Sequence, residues 1–297
     1  MRSLSRNKIK VIVKDSKIDY DCRRFNLTVN PLLEKYRALG YAPEKIKTIW
    51  ESHELQQQGK ELIQSLFLPE NIILRDQFTP AQITDAHAII SFGGDNHFQY
   101  LARYLANTPI LGINADPPRS EGALTQITVN QLPMVLEMLE LGRYRLEEWN
   151  RMSLKLNGKP VGFPILCEAY AGEHKVENMS RLNVVIGGTK ISHKGSGMLL
   201  YTGAGSTGWA YSVDHVTFPK TAKHLRYVFM NPYVGKLSPV AKNHNAYFPK
   251  NQRCTVVSLN DAEGVIVLDA LETLSFPEGS KAEFLKGPSL RVIQPLV

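Results

Sequence analysis

The stretch from Ala86 to Ile113 constrains the fold more than any other part of this 297-residue chain. An apolar run, Ala86 to Phe92, passes through Gly93-Gly94-Asp95-Asn96 into a run with helical spacing, His97 to Ala106, and a second apolar run, Pro109 to Ile113, follows. Two strands separated by a helix at this spacing read as parallel neighbours, because a parallel pair needs a long crossover, which is right-handed. Open parallel sheets bind ligands beyond the C-terminal ends of their strands. The glycine turn falls at such an end.

The flanking segments extend the pattern. Ile9 to Val13 reads as a buried strand, and Asn30 to Ala38 as a helix with Leu32, Leu33, Tyr36 and Leu39 on one face and Gly40 as its stop. Glu44 to Phe67 has helical spacing that Gly59 could divide, and Leu132 to Leu141 reads as a closing helix. From Arg143 the texture changes to short runs: Met152 to Leu156, Leu182 to Ile186, Met198 to Tyr201, Cys254 to Leu259, Val265 to Leu268 and Leu290 to Ile293. Asn157-Gly158, Gly187-Gly188 and Glu278-Gly279 supply turn signals between several of them. The expected organisation is an α/β N-terminal domain with a parallel sheet (1–143) and a mostly β C-terminal domain (144–297).

Composition narrows the partners. Hydrophobic residues make up 43% of the chain, enough for a buried core. The net charge of +7 is spread along the sequence without a basic run, which favours a phosphorylated small molecule over nucleic acid. Cys22, Cys167 and Cys254 are odd in number and far apart, so no disulfide framework or CxxC metal pair is read, and a cytoplasmic location is expected. No run approaches the roughly 18 apolar residues of a membrane span, and no secretory signal is read, so no membrane partner is expected. No HExxH, GxxxxGK[ST] or GxSxG pattern occurs, which removes zinc peptidases, P-loop NTPases and nucleophile-elbow hydrolases; no metal-ligating residue is assigned.

The turn itself suits phosphate chemistry. Two glycines permit positive φ and close approach of a ligand, the helix that follows favours an anion at its start, and Asp95 can orient a hydroxyl and take its proton. Gly203-Ala204-Gly205-Ser206-Thr207-Gly208 also spells GxGxxG, but it lies in the β-rich half and no acidic residue follows about twenty positions later, so a Rossmann reading fails.

These residues together resemble the NAD kinase family. Ile89-Ile90-Ser91-Phe92-Gly93-Gly94-Asp95 matches its Gly-Gly-Asp strand, and Pro109 to Asn114 its next strand. Asp116-Pro117-Pro118-Arg119-Ser120-Glu121-Gly122 is similar to the mitochondrial branch in particular, and Thr202 to Trp209 resembles the family's Thr-x-x-Gly-Ser-Thr-Ala-Tyr stretch. The resemblance implies that Asp95 is the base that deprotonates the 2′-hydroxyl of NAD as it attacks the γ-phosphate of ATP. It also implies ATP and Mg²⁺ as requirements and a homodimer or homotetramer. Gly93, Gly94, Asn96, Asn114, Arg119 and Ser120 would line the nucleotides in the first half. Cys167, Glu168, Ser196, Thr207, Gly208, Trp209 and Ser212 would do so in the second. Three positions depart from the pattern: Asn96 replaces a glycine, Cys167 an asparagine and Ser196 an aspartate. Asn96 is expected to keep the turn because asparagine tolerates left-handed angles. Two other readings stay open: a diacylglycerol-type lipid kinase, which shares Gly-Gly-Asp-Gly but not the Arg119 loop, and a non-catalytic NAD binder or sensor.

Overall fold

The computed structural model describes residues 3–175, 177–235, 245–249 and 251–296. The chain forms two compact units, one comprising Met1–Leu101, Thr108–Leu146 and Val292–Val297, the other Ala102–Asn107 and Glu147–Arg291.

The first unit holds β1 (Ile9–Val13), three helices α1 (Lys17–Phe25), α2 (Val29–Ala38) and α3 (Pro43–Leu66), then β2 (Ile72–Leu74) and β3 (Ala88–Gly93). Helix α4 (Asp95–Ala102), β4 (Ile110–Asn114), β5 (Ile127–Thr128), α5 (Leu132–Glu140) and β6 (Tyr144–Trp149) follow. The sheet order is β2-β1-β3-β4, continued by the C-terminal strand Leu290–Pro295 and then β6, with β5 beside β4. β1, β2, β3 and β4 pair in parallel, as expected for this half.

One face of these strands meets α3 and α5. Val11, Val13, Ile90, Phe92, Leu111 and Ile113 pack with Ile63 of α3 and with Leu132, Val135, Leu136 and Leu139 of α5. Gly59 does not divide α3. A Cβ there would lie 2.6 Å from the Phe92 ring, so the glycine lets the helix pass close over β3. A smaller core joins α1, α2 and α3 through Ile18, Leu32, Tyr36 and Ile46.

The second unit is antiparallel, with the strands β7 (Met152–Leu156), β8 (Lys159–Pro160), β9 (Glu168–Glu173), β10 (Ser180–Ile186), β11 (Thr189–Gly195), β12 (Met198–Tyr201) and β13 (His224–Phe229). β14 (Asn245–Pro249), β15 (Cys254–Ser258), β16 (Gly264–Leu268), β17 (Glu272–Ser275) and β18 (Lys281–Lys286) complete it, and β19 (Leu290–Pro295) is the strand that joins the first sheet. One sheet runs β11-β10-β15-β18-β7-β8, the other β14-β13-β12-β9-β16-β17. Their inner faces share one core that includes Leu154, Val184, Val256 and Phe284 from the first and Ala171, Leu200, Tyr227 and Ile266 from the second.

The outer face of the second sheet is buried as well. Tyr170, Leu199, Tyr201 and Val228 pack with Ala210 of α6 (Trp209–Asp214). Burial on both faces is why Met198 to Tyr201 is apolar throughout instead of alternating. Asn157-Gly158 and Gly187-Gly188 have φ of 51°, 80°, 55° and 85°, the angles a two-residue hairpin turn requires.

The α/β and β-rich halves expected from the sequence are both present, with three differences. α1 and β2 were not expected, α6 interrupts the β-rich half, and Leu290–Pro295 leaves that half to pair in parallel with β4, Val292 opposite Ile110.

Candidate nucleotide site

In the order β2-β1-β3-β4 the chain leaves β1 on one side and returns on the other. This creates a topological switch point between β1 and β3, where open α/β sheets bind ligands beyond the carboxyl ends of their strands. Register sharpens the place. Val13 lies between Leu74 and Phe92, and Gly93 pairs with Asn114. The Lys14 N–H donates to the Phe92 carbonyl at 3.0 Å, which fixes the end of β1 beside the glycine turn.

A cavity of about 320 Å³ opens here, lined by Lys14 and Gln56, by Gly93 to Asn96, and by Asn114, Ala115, Asp116 and Ser120. Neither Gly93, Gly94 nor Asn96 has the left-handed φ expected of the turn; Asn96 is an exposed residue in the first turn of α4. The glycines serve space instead of angle. A Cβ on Gly93 would lie 2.8 Å from the His97 ring, whereas one on Gly94 would meet only Ser120 Oγ at 3.6 Å, leaving the backbone open to a ligand.

Asp95 is half-buried and held by the loop after Gly122. Its Oδ2 accepts the Ala123 N–H at 2.9 Å, and its Oδ1 accepts the Leu124 N–H at 2.9 Å and the Thr125 hydroxyl at 3.0 Å. A carboxylate offers about four lone-pair positions, so three donors orient Asp95 and leave it able to accept one more. His97, behind the turn, is wholly buried and bonds through Nε2 to the Ile12 carbonyl at 3.0 Å. Burial pushes its pKa down to about 3, with Arg75 and Lys14 adding to the fall, so it stays neutral.

The loop from Asn114 is tied to itself. The Asn114 amide donates to the Ser120 carbonyl at 3.1 Å and accepts the Asp116 N–H at 3.1 Å. Gly122 has φ of 64°, and a Cβ there would lie 2.6 Å from the Asn114 amide nitrogen. Arg119 donates to Asp116 at 2.9 Å and to Glu51 at 2.6 Å, so its guanidinium fastens the loop to α3. Ser120 faces the cavity.

In the second unit the glycine-rich stretch forms a short 3₁₀ turn, Gly205–Thr207, leading into α6. A Cβ on Gly205 would stand 2.4 Å from the Cys167 carbonyl oxygen and 2.9 Å from Glu168 Oε2. Cys167 acts through its main chain, accepting the Thr202 N–H at 2.9 Å and donating to Asp269 at 2.7 Å. Glu168 is 8% exposed, and its side-chain carboxyl has no hydrogen-bond or ion-pair partner among the described residues. Burial, and then the charge of Asp269, push its pKa up to about 8. Near neutral pH its carboxyl is therefore mostly protonated, a hydrogen-bond donor beside the glycine turn.

Thr207, Gly208, Trp209 and Ser212 are exposed, with Trp209 packed on the Tyr170 ring at 5.4 Å between centroids. Ser196 lies apart from Glu168. Tyr201 pairs with Glu168 and Met198 with Ala171, which puts Ser196 beyond the other end of β12, linked through the Tyr170 hydroxyl that donates to its carbonyl at 2.9 Å.

The sequence reading missed Lys14 and Asp269. Asp269 has φ of 52° and accepts the N–H groups of Leu166, Cys167 and Glu168 at 2.9, 2.7 and 3.2 Å, so it anchors the start of β9. A lone aspartate after an apolar run gave no local sign of this. Among the described residues no group of three or more His, Cys, Asp or Glu side chains could hold a metal ion. A magnesium ion carried by nucleotide phosphates needs only one or two carboxylates, and Asp95 and Asp116 line the cavity.

The fold is a chain of two units, one an open parallel sheet with a Gly-Gly-Asp turn at its switch point and the other built of antiparallel sheets. No protein-family model matches the chain. Its sequence and fold are similar to those of the NAD kinases. It is 26% identical over 237 residues to a probable NADH kinase of Oryza sativa subsp. japonica, covering 72% of each chain. It is 24% identical over 239 residues to an NAD kinase of Methanocorpusculum labreanum, covering 79% of this chain and 83% of that one. A crystal structure of an NAD kinase from Archaeoglobus fulgidus in complex with ATP superposes with a TM-score of 0.64 at 15% identity, over 97% of this chain and 94% of that one. Yeast NADH kinase complexed with NADH gives 0.68 at 12% identity, over 99% and 84%.

Proposed function

We propose that this chain is an NAD kinase, transferring the γ-phosphate of ATP to the 2′-hydroxyl of the adenosine ribose of NAD to give NADP. The observation that carries the reading is Asp95, a carboxylate oriented by three donors and opening on a cavity at the β1/β3 switch point. The ribose oxygen attacks phosphorus, its proton passes to Asp95, and the bond from the γ-phosphorus to the bridging oxygen breaks to release ADP. Such transfers depend mostly on positioning and charge stabilisation. Magnesium, when bound, neutralises phosphate charge.

Gly94 leaves room for phosphate, and Asn114 and Ser120 shape the cavity wall. In the second unit, the dinucleotide is assigned to Glu168, Thr207, Gly208, Trp209 and Ser212, with the Cys167 main chain holding the glycine turn through Thr202 and Ser196 acting indirectly through Tyr170. Arg119 is assigned a loop-fastening role. The reading includes a cytoplasmic protein that assembles as a homodimer or homotetramer; no helix among the described residues is long and apolar enough to cross a membrane.

Incubation with ATP, Mg²⁺ and NAD, with diacylglycerol in a parallel reaction, tests the proposal. NADP is the expected product. Binding of NAD without NADP formation would establish the non-catalytic reading, and phosphorylation of the lipid alone the lipid-kinase reading.

A further inference from the structure

A second cavity of about 570 Å³ in the first unit shares Lys14 and Gln56 with the Asp95 cavity, so the two adjoin. Its charged lining is Lys14, Lys17, Arg75, Asp15 and Asp76. Three of these are neutralised locally. Asp15 pairs with Arg23 and Lys60, Asp76 with Arg23, and Lys17 with Asp21.

Lys14 and Arg75 remain. Among the described residues neither has an acidic partner; Arg75 lies over the Tyr100 ring at 4.2 Å. Desolvation, and then the Arg75 charge, hold the Lys14 ammonium below its usual pKa. Register explains why they meet. Leu74, Val13 and Phe92 are aligned across three parallel strands, so the next residues, Arg75, Lys14 and Gly93, form a row at the carboxyl edge of the sheet. Adjacent strands stand about 4.8 Å apart, so the row spans roughly 10 Å and ends at the glycine turn.

We propose that Arg75 and Lys14 bind the phosphate chain of the phosphoryl donor, a nucleoside triphosphate, and deliver its terminal phosphate to the Gly93-Gly94 backbone beside Asp95. The inference rests on the kinase reading for the identity of the donor; the anion site itself stands on the row and its cavity.

The test compares the wild-type chain with Lys14→Ala/Arg75→Ala and with Arg75→Lys, using inorganic tripolyphosphate in calorimetry and ATP and NAD in kinetics. In the double variant the dissociation constant for tripolyphosphate and the KM for ATP should each rise by roughly tenfold or more, since two charge-assisted contacts are lost. The KM for NAD should stay within about twofold, as expected when uniform binding of the other substrate is removed. Arg75→Lys should recover most of the tripolyphosphate affinity. A folded double variant with unchanged tripolyphosphate affinity and ATP KM overturns the proposal. If the double variant fails to fold, Lys14→Ala alone decides, because Lys14 is an exposed residue with no ion-pair partner to orphan among the described residues. Loss of tripolyphosphate binding in a protein whose wild type makes no NADP would uphold the anion site and refute the kinase reading.

Discussion

The Asp95 carboxylate is held 2.9 Å from the backbone nitrogen of Leu124, which ties the Gly-Gly-Asp turn to the loop that begins at Asn114. The side chain assigned to proton transfer is thus also the clasp of a neighbouring loop. This dual use makes the effects of its replacement separable.

Asp95→Asn should reduce NADP formation by roughly 10²- to 10⁴-fold, the usual contribution of a positioned base. NAD affinity measured by calorimetry should persist. One amide position would face the Ala123 or Leu124 N–H as a donor, so unfolding should also become easier by about 1–3 kcal/mol. Wild-type turnover in this variant would remove Asp95 from the role of base.

Two glycines in the same site should behave differently. Gly122→Ala forces a side chain onto a left-handed φ of 64° and against Asn114, and should destabilise the protein by about 1–3 kcal/mol in denaturant unfolding. Gly94→Ala meets only ordinary contact at 3.6 Å, so its stability should hardly change, while the KM for ATP rises. Equal destabilisation by both changes would contradict this geometry.

Glu168 makes stability depend on pH. Its folded pKa of about 8 lies above the ordinary 4.5, so the folded state binds more protons than the unfolded state between these values. Its contribution is fully present below about pH 4.5, is lost as pH rises and is gone above about pH 8. Glu168→Gln, neutral at every pH, should flatten this fall in melting temperature between pH 5 and 8.5, the Asp269 contribution remaining. Parallel melting curves for the two proteins would show that Glu168 ionises normally.

Gly59→Ala tests the contact of α3 with β3. The added methyl would lie 2.6 Å from the Phe92 ring, and overpacking of this kind costs about 1–3 kcal/mol against a helix-propensity gain of about 1 kcal/mol. Pairing it with Phe92→Leu should recover part of the loss in denaturant unfolding. A more stable Gly59→Ala protein would mean that propensity outweighs packing here.

Much of the local structure was legible because its causes are local. β1, β7 and β12 have the bounds that their apolar runs give, and the hairpin glycines adopt the angles their dipeptides require. α1 was less visible, since its nine residues bury only Ile18 and Asp21. The signal that could have found it is Ser16, whose hydroxyl accepts the Asp19 N–H at 3.1 Å and caps the helix start. Gly59 misled, because a helix-breaking residue and a residue chosen for close packing look alike in one dimension.

The site divides in the same way. By itself the sequence determined that a strand ends in Gly93-Gly94-Asp95, that a helix follows, and that a second glycine-rich stretch lies in a β-rich half. Only the tertiary structure decided that β1 lies between β2 and β3, which places Arg75 and Lys14 in line with that turn. It also decided that Asp269 anchors the backbone of residues 166–168, about a hundred positions earlier, and that Arg119 serves Glu51 and Asp116. The physical reason is range: turn angles and periodicity arise between residues a few positions apart, whereas strand order, register and ion pairing follow from burial between segments far apart in the chain.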